Sequence, residues 1–402
     1  MVSPTIICMR IALFTDTYLP EANGVAVSVA TLHEGLRERA HEVTVFTPSH
    51  PNAPESEGLV GLPSLAFRPI PDHRVATPVD PRIGSRIRSA GFDLIHTHTE
   101  FSVGQFGFRA AAQLKIPQVH TYHTTYEDYT WYVTRGHAEK QARKIVRLAS
   151  RYFCDRCDYV IAPSEKTRAM LGAYRIATPI RVIPTGVDTQ RFAAAQGGDR
   201  LRADLGIDPQ AKVLLTLGRV AYEKNIVKLL DAVADYLQDT DRDLVFLVVG
   251  DGPALGALQK QAARRGVSER VHFTGAVPWE EVGRYYRAAD VFVSFSESET
   301  QGLTYLEALA AGCPVLAWYN ECFDGILEDG QSASLLRQPE EFGPRLDEVL
   351  FDEQRRARYL ARGAEAAQAL SIASFVDKIE AVYEETRASY VPRPSTLRRV
   401  FF

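Results

Sequence analysis

Short β-branched runs alternate with longer stretches of helical periodicity along this chain, and they do so twice. The first series reads IALFTD, SVATLHEGLRER, HEVTVFT, DLIHTH, GFRAAAQL, QVHTYH and DYVIAPS. Strand, helix and strand in repeating order is the pattern of a parallel sheet wrapped by helices. The rhythm restarts at KVLLTLGR and runs through IVKLLDAVADYL, DLVFLVVGDGP, GALQKQAARRG, VHFTGAV, EEVGRYYRAA, DVFVSFS and LTYLEALAAG. Between the two series, RVIPTGVDTQRF carries Pro184 and Gly186, which break both periodicities and mark a hinge. At 402 residues the length suits two cores. The expected class is α/β, with doubly wound domains over residues 1–188 and 189–375 and a final helix with a basic tail over 376–402. Ligands of such sheets sit at the carboxyl ends of the strands, so a cleft between two such domains is the expected site.

Bulk properties exclude several classes. A formal net charge of -4 offers no whole-molecule attraction to nucleic acid. Five scattered cysteines suit a reducing, cytoplasmic setting better than a disulfide framework. Cys154-Asp-Arg-Cys157 has redox or zinc spacing but no companion pair, and reads as two small hydrophobes at a helix end. MVSPTIIC has neither the basic start nor the apolar stretch of a secretory signal, and Met9-Arg10 suggests a second start with residues 1–8 a dispensable extension. With no run of about eighteen apolar residues, a soluble or peripheral protein is expected.

The chemistry concentrates at strand ends. Glu299 follows the strand pattern DVFVSFS, and Gln301-Gly302 opens the helix that carries Glu307, seven residues intervening. The backbone N–H groups of Gly302, Leu303 and Thr304, with a helix dipole behind them, form a phosphate site. The two carboxylates would then accept hydrogen bonds from sugar or ribose hydroxyls. The alternative is a pair of solvent-facing acids, but Glu307 stands in an apolar stretch where an unpaired carboxylate is costly. In LGRVAYEKN, Arg219 and Lys224 would neutralise a leaving diphosphate, or simply form a solvated surface.

Near the N-terminus, Gly24 stands alone after the first strand and no acid follows the second, so the dinucleotide dehydrogenase fingerprint is absent. His96, His98, His120 and His123 raise a metal cluster, yet no cysteine or carboxylate has clear ligand spacing. His96 and His120 read as structural, while His98 and His123 lie nearest the strand ends. From Arg135 to Arg151 six Lys or Arg oppose one Glu, with Trp131 and Tyr132 just before. On a helix this sets cations beside apolar residues, as at a membrane surface, with an ordinary solvated helix as the alternative. The tail STLRRVFF repeats the theme.

Together FTDTYLPEANG with GVAVSV, HTHTEFSVG, HTYHTTYEDY, IPTGVD, GRVAYEKN, VVGDGP, FTGAV and SESETQGLTYLEALAAGCPV resemble the retaining glycosyltransferases of GT-B fold, the large family that includes sucrose synthases and phosphatidylinositol mannosyltransferases. The resemblance runs from about residue 10 to about residue 375. FTDTYLPEANGVA, HTTYEDY with its basic sequel, and SETQGLTY are most similar to bacterial diacylglycerol glucosyltransferases. It implies two Rossmann-like domains, with the last helices crossing back to the first, and transfer of glucose or galactose from a UDP-sugar to diacylglycerol. The UDP-sugar is a co-substrate; no cofactor and no metal are implied. Other acceptors in the same class are phosphatidylinositol, a polyprenyl carrier or a soluble sugar; a sugar-nucleotide epimerase is the alternative of another class.

Residue by residue, the resemblance implies Glu307 on the donor ribose, Glu299 on the transferred sugar, and Arg219 and Lys224 on the diphosphate. Gly302, Leu303 and Thr304 would supply backbone contacts, Ala276 and Val277 would lie against the base, and Gly24 would approach the donor phosphate. His123 would stand near the reacting sugar. The acceptor and membrane candidates are Asp16, His98, Tyr126, Trp131, Arg135, Lys140, Arg143, Lys144 and Arg147, at the inner face of the cell membrane. Two positions depart from the family pattern: Thr300-Gln301, where many members have Phe, and Thr185, where many have Asn. The second departure has no reading from sequence alone.

Overall fold

The structure is a computed structural model that describes residues 8–21, 23–51, 53, 57–67, 70–77, 81–130, 134 and 138–392. The chain divides into two units, Val187–Ser371 and the remainder, which rejoins at Ile372. In the first unit the strands are β1 (Arg10–Phe14), β2 (Glu42–Pro48), β3 (Leu59–Leu62), β4 (Ser64–Phe67), β5 (Ile70–Ala76), β6 (Leu94–Thr97), β7 (Gln118–Thr121), β8 (Tyr159–Ala162) and β9 (Ile180–Val182). Among the described residues seven of them form one sheet in the order β3-β2-β1-β6-β7-β8-β9, and β4 and β5 form a separate antiparallel ribbon. Every pair in the large sheet is parallel; Ile11, for example, lies opposite both Val43 and Leu94. Ile11 to Phe14 are fully buried, because helices cover both faces of a parallel sheet. Those before the second unit are α1 (Gly24–Glu38), α2 (Pro81–Ser89), α3 (Ser102–Leu114), α4 (Glu139–Cys154) and α5 (Glu165–Ala173).

The second unit repeats the design. Its strands β10 (Lys212–Leu217), β11 (Leu244–Val249), β12 (Val271–Gly275), β13 (Val291–Ser294), β14 (Val315–Trp318) and β15 (Ser334–Leu336) pair in parallel in the order β12-β11-β10-β13-β14-β15. Its helices are α6 (Thr189–Ala194), α7 (Gly198–Asp204), α8 (Ile226–Asp239), α9 (Leu255–Arg264), α10 (Val282–Ala288), α11 (Leu303–Ala310), α12 (Phe342–Phe351) and α13 (Glu353–Ala369). The alternating elements expected from periodicity are all present. Strand β3, the ribbon and α2 fill the segment between β2 and β6, where the repeating pattern announces nothing.

Helix α14 (Ile372–Ser389) belongs to the first unit, and it starts before the expected residue 376. Phe375, Val376, Ile379, Val382 and Tyr383 are buried with Ile11, Leu13, Val29, Leu32 and Leu36 in one core. A Cβ on Gly35 would lie 2.5 Å from Val376 Cγ2, so α1 and α14 approach this closely only through a glycine. His96 Nδ1 lies 2.7 Å from the Tyr383 hydroxyl, and His41 Nε2 2.7 Å from Glu380 Oε1. Thr185 is buried, with its hydroxyl 2.8 Å from that of Ser28, so it ties the end of the first series to α1. The proposed extension 1–8, apart from Cys8, and the basic tail 395–402 lie outside the described residues.

Because Ile379 is fully buried in this core, Ile379→Ala is expected to destabilise the first unit by about 2–5 kcal/mol. Urea unfolding followed by a probe in the first unit should show an earlier midpoint; an unchanged midpoint would separate α14 from that core.

Candidate active site

In each sheet the strand order reverses at one place: beside β1, which lies between β2 and β6, and beside β10, which lies between β11 and β13. Loops at such a switch point leave a crevice beyond the carboxyl ends of the strands. Asp16 and Gly24 follow β1, His98 follows β6, Arg219 and Lys224 follow β10 and Glu299 follows β13, so these candidates lie at the two switch points.

In the second unit Arg219 follows β10 and Lys224 closes the 3-10 turn Tyr222–Lys224. Glu299 lies in the loop after β13. Lys224 Nζ donates to Glu299 Oε1 at 2.8 Å, and Asn225 Nδ2 donates to the Phe295 carbonyl at 3.2 Å, so the two loops are fastened together. Arg219 pairs with Glu223 at 3.2 Å. Gly302, the residue before α11, has φ +81°, and a Cβ there would meet the Tyr305 ring at 2.7 Å. Among the described residues no side chain caps this helix start. Val277 packs against the core while Ala276 is exposed in the loop after β12.

Glu307 is only 7% exposed. Its Oε2 accepts a hydrogen bond from the Tyr286 hydroxyl of α10 at 2.9 Å, and among the described residues no donor reaches Oε1. Burial pushes its carboxyl up to about 7, against the Tyr286 hydrogen bond and the Arg191 charge, which both pull it down. Arg191 lies with its guanidinium carbon 3.4 Å from the Trp279 ring centre and donates to the Trp279 carbonyl at 2.8 Å. Tyr286, Arg191 and Trp279 carry no local sequence signal, because they reach this site from α10, α6 and a loop far apart in the chain.

In the first unit Gly24 is exposed at the start of α1, with open space where a Cβ would stand, and Asn23 caps the helix through Val25 and Ala26 N–H. Asp16 is committed elsewhere than expected. Its carboxylate accepts from the hydroxyls of Thr99 (2.6 Å) and Ser102 (2.5 Å) and from the N–H groups of Val103 (2.8 Å) and Gly104 (3.3 Å), so it caps α3. His98, placed by sequence at the open strand end, is 2% exposed and lies behind half-buried His123, its Nδ1 3.0 Å from His123 Nε2. His96 and His120 have partners on both ring nitrogens, Thr121 and Tyr383 for the first, Thr97 and Glu100 for the second. Tyr126 donates to Glu100. Among the described residues no group of three His, Cys, Asp or Glu side chains could hold a metal ion.

Trp131 and Arg135 lie outside the described residues. On α4, Arg147 donates to Glu127 at 2.7 and 3.1 Å and Arg143 to Glu139 at 3.0 Å, so these two cations are partly neutralised. Lys140 and Lys144 are exposed and form no ion pair among the described residues. Beside them Ile145 (66% exposed), Leu148 (59%) and Tyr152 (54%) form an apolar stripe at i, i+3 and i+7. That spacing was present in the sequence, beneath the count of charges. Among the described residues no helix is long and apolar enough to cross a membrane.

Known proteins resemble this chain in both sequence and fold. Residues 22–191 match the model of Glycosyltransferase Family 4, and residues 198–366 that of Glycosyl transferases group 1. Alpha-monoglucosyldiacylglycerol synthase of Streptococcus pneumoniae is 41% identical over 81% of this chain and 75% of its own length, and that of Acholeplasma laidlawii 33% over 83% and 86%. D-inositol 3-phosphate glycosyltransferase of Corynebacterium jeikeium is 27% identical over 94% and 97%. Among solved structures, sucrose-phosphate synthase from Thermosynechococcus elongatus superposes with TM-score 0.76 at 22% identity, over 95% of this chain and all of that one. Anabaena Alr3699/HepE in complex with UDP gives 0.72 at 18%, over 94% of this chain and all of its own. The fold is GT-B. The chain belongs to the glycosyltransferases of family 4 and group 1, which sets the epimerase alternative aside.

A carboxyl raised from 4.5 to about 7 binds its proton more tightly folded than unfolded, so its contribution to stability is full below pH 4.5 and is lost as pH rises through 7. Glu307→Gln is therefore expected to exceed the parent protein in stability by up to about 3 kcal/mol at pH 8 and to match it at pH 4. Urea midpoints at the two pH values check this; equal stability at pH 8 would show that Glu307 is not strained by its burial.

Proposed function

We propose that this glycosyltransferase moves a hexose, glucose with galactose as the alternative, from a UDP-sugar to the free hydroxyl of diacylglycerol, keeping the donor's anomeric configuration. The setting is the inner face of the cell membrane, to which the enzyme is peripherally bound. The names of the two synthase relatives support the acceptor class. The observation that carries a lipid acceptor is the outer face of α4, where Ile145, Leu148 and Tyr152 are exposed beside Lys140 and Lys144, since a soluble acceptor needs no such face.

On this reading Glu307 takes ribose hydroxyls through Oε1, and Ala276 and Val277 lie along the base. The Lys224–Glu299 pair sets an ammonium and a carboxylate side by side, which suits a diphosphate and the sugar joined to it. Arg219 and the N–H groups of Gly302, Leu303 and Thr304 complete the phosphate contacts. The acceptor oxygen bonds to the sugar's anomeric carbon on the face from which the diphosphate leaves, and a departing diphosphate oxygen takes the acceptor's proton. The cations and N–H groups stabilise the dianion as it forms, and that electrostatic term supplies most of the rate. His123 meets the reacting sugar.

The test is a product assay with diacylglycerol in anionic mixed micelles and UDP-glucose or UDP-galactose supplied separately, lipid extracts being read by mass. A hexosyl diacylglycerol is expected. Release of UDP without glycolipid would keep the donor reading and overturn the acceptor, and inositol phosphate would be tried next, following the inositol-phosphate relative. Lys224→Ala is expected to lower kcat by about 100-fold or more, and near-normal turnover would remove Lys224 from the diphosphate. The pair Ile145→Ser with Leu148→Ser is expected to weaken flotation with anionic vesicles about tenfold or more while UDP affinity holds; unchanged flotation would free α4 of a membrane role.

A further inference from the structure

Four histidines converge at the ends of β6 and β7, and among the described residues two of them, His98 and His123, keep a ring nitrogen without a hydrogen-bond partner. His96 and His120 are bonded on both sides of their rings. His98 and His123 instead share one contact, 3.0 Å between His98 Nδ1 and His123 Nε2, with their ring planes 25° apart. His98 Nε2 is buried and has no hydrogen-bond partner among the described residues. His123 is half-buried, so its Nδ1 is the nitrogen of this group left to meet a ligand.

His98 is itself rigidly seated. Its backbone N–H donates to the Phe14 carbonyl at 2.8 Å, and its ring lies 4.0 Å from that of His96, which the hydroxyls of Tyr383 and Thr121 fix in turn. Burial first, and neighbouring histidine charges second, keep both rings neutral at pH 7, His123 down to about 3. Two neutral imidazoles share a single hydrogen, and whichever ring carries it, Nε2 of His123 is committed to His98.

We infer that His98 is a positioning residue that turns the His123 ring so that Nδ1, and not Nε2, is the atom presented to an oxygen of the sugar or the acceptor hydroxyl. This rests on the reading of His123 as a residue that meets substrate. A ring released from His98 would swing about its side-chain bonds, and displacements of an ångström at a reacting centre cost on the order of 100-fold in rate.

The amide of asparagine occupies the place of an imidazole Nδ1, and that of glutamine the place of Nε2, which separates the two nitrogens by substitution. In the UDP-glucose and diacylglycerol assay, His123→Gln, which keeps the His98 partner but not the Nδ1 atom, is expected to lose about 100-fold in kcat, and His123→Asn, which keeps the Nδ1 place but not the His98 partner, about as much as His98→Leu. Near-normal kcat in His123→Gln overturns the inference. His98→Leu should lower kcat about 100-fold with little change in KM for the donor, His98→Asn should restore most of it, and His98→Leu combined with His123→Gln should lose little more than His123→Gln alone.

A second readout needs no turnover. In protein labelled with 15N at histidine, the His123 Nε2 resonance should carry a hydrogen-bond shift that His98→Leu abolishes and His98→Asn retains; identical His123 resonances in all three proteins overturn the inference. Normal turnover by His123→Ala would overturn both this inference and the reading of His123 beneath it. Loss of turnover in His123→Ala with full activity in a folded His98→Leu overturns this inference alone.

Discussion

Parallel pairing makes every strand of a sheet end on the same side, and that constraint decides which residues of this chain can meet a ligand. Both sheets are parallel throughout, and each reverses its strand order beside the strand that comes first in its sequence, β1 or β10. The loops after β10 and β13 therefore emerge together, and with them Lys224 and Glu299, which are separated by the whole of three strands in the chain yet lie 2.8 Å apart. In the first sheet the neighbouring strands β6 and β7 bring His98 to His123 by the same geometry. Burial of the strands on both faces holds the arrangement, and burial of α14 with Ile11, Leu13 and Val29 extends one face of the first core.

Within the second unit the balance of charge is built by burial as much as by pairing. Glu307 is taken out of water, given one hydroxyl partner and left with one open oxygen, which raises its affinity for a proton and for any hydroxyl that can replace it. Glu299 is less buried and has Lys224 against it, so the two carboxylates stand in different electrostatic settings. Two acids of the same chemistry thereby stand in different surroundings, one buried against a hydroxyl and one against an ammonium.

What was legible in the sequence is what local periodicity and strand-end position encode. The alternation of strands and helices, the placement of Glu299, Arg219 and Lys224 after strands, and that of Glu307 on the helix that follows, come from residues close together in the chain. The partners do not. Tyr286 bonds to Glu307 from another helix, Arg191 stacks on Trp279 from α6, and Thr185 meets Ser28 across the first unit. Asp16 shows the same limit from the other side: a carboxylate after a strand reads as a ligand, but its oxygens are taken by the N-terminus of a helix more than eighty residues away. Such contacts are set by tertiary packing, which a single sequence displays only as unpaired residue types.

Helix α4 shows how these long-range partners change a functional reading as well as a structural one. Counted along the sequence, its cations outnumber its acids, which by itself points to electrostatic attraction to an anionic surface. With Arg143 and Arg147 held by Glu139 and Glu127, and Arg151 by Asp155, the charge it offers outward falls mainly to Lys140 and Lys144. Each lysine near an anionic leaflet contributes about 1 kcal/mol, a figure that salt reduces. Ile145, Leu148 and Tyr152 are exposed over more than half their surface, and full burial of one such aliphatic side chain is worth about 1.5–3 kcal/mol. The apolar stripe therefore outweighs the charges, so a surface contact through α4 would draw its strength from insertion, with the lysines setting which leaflet it prefers.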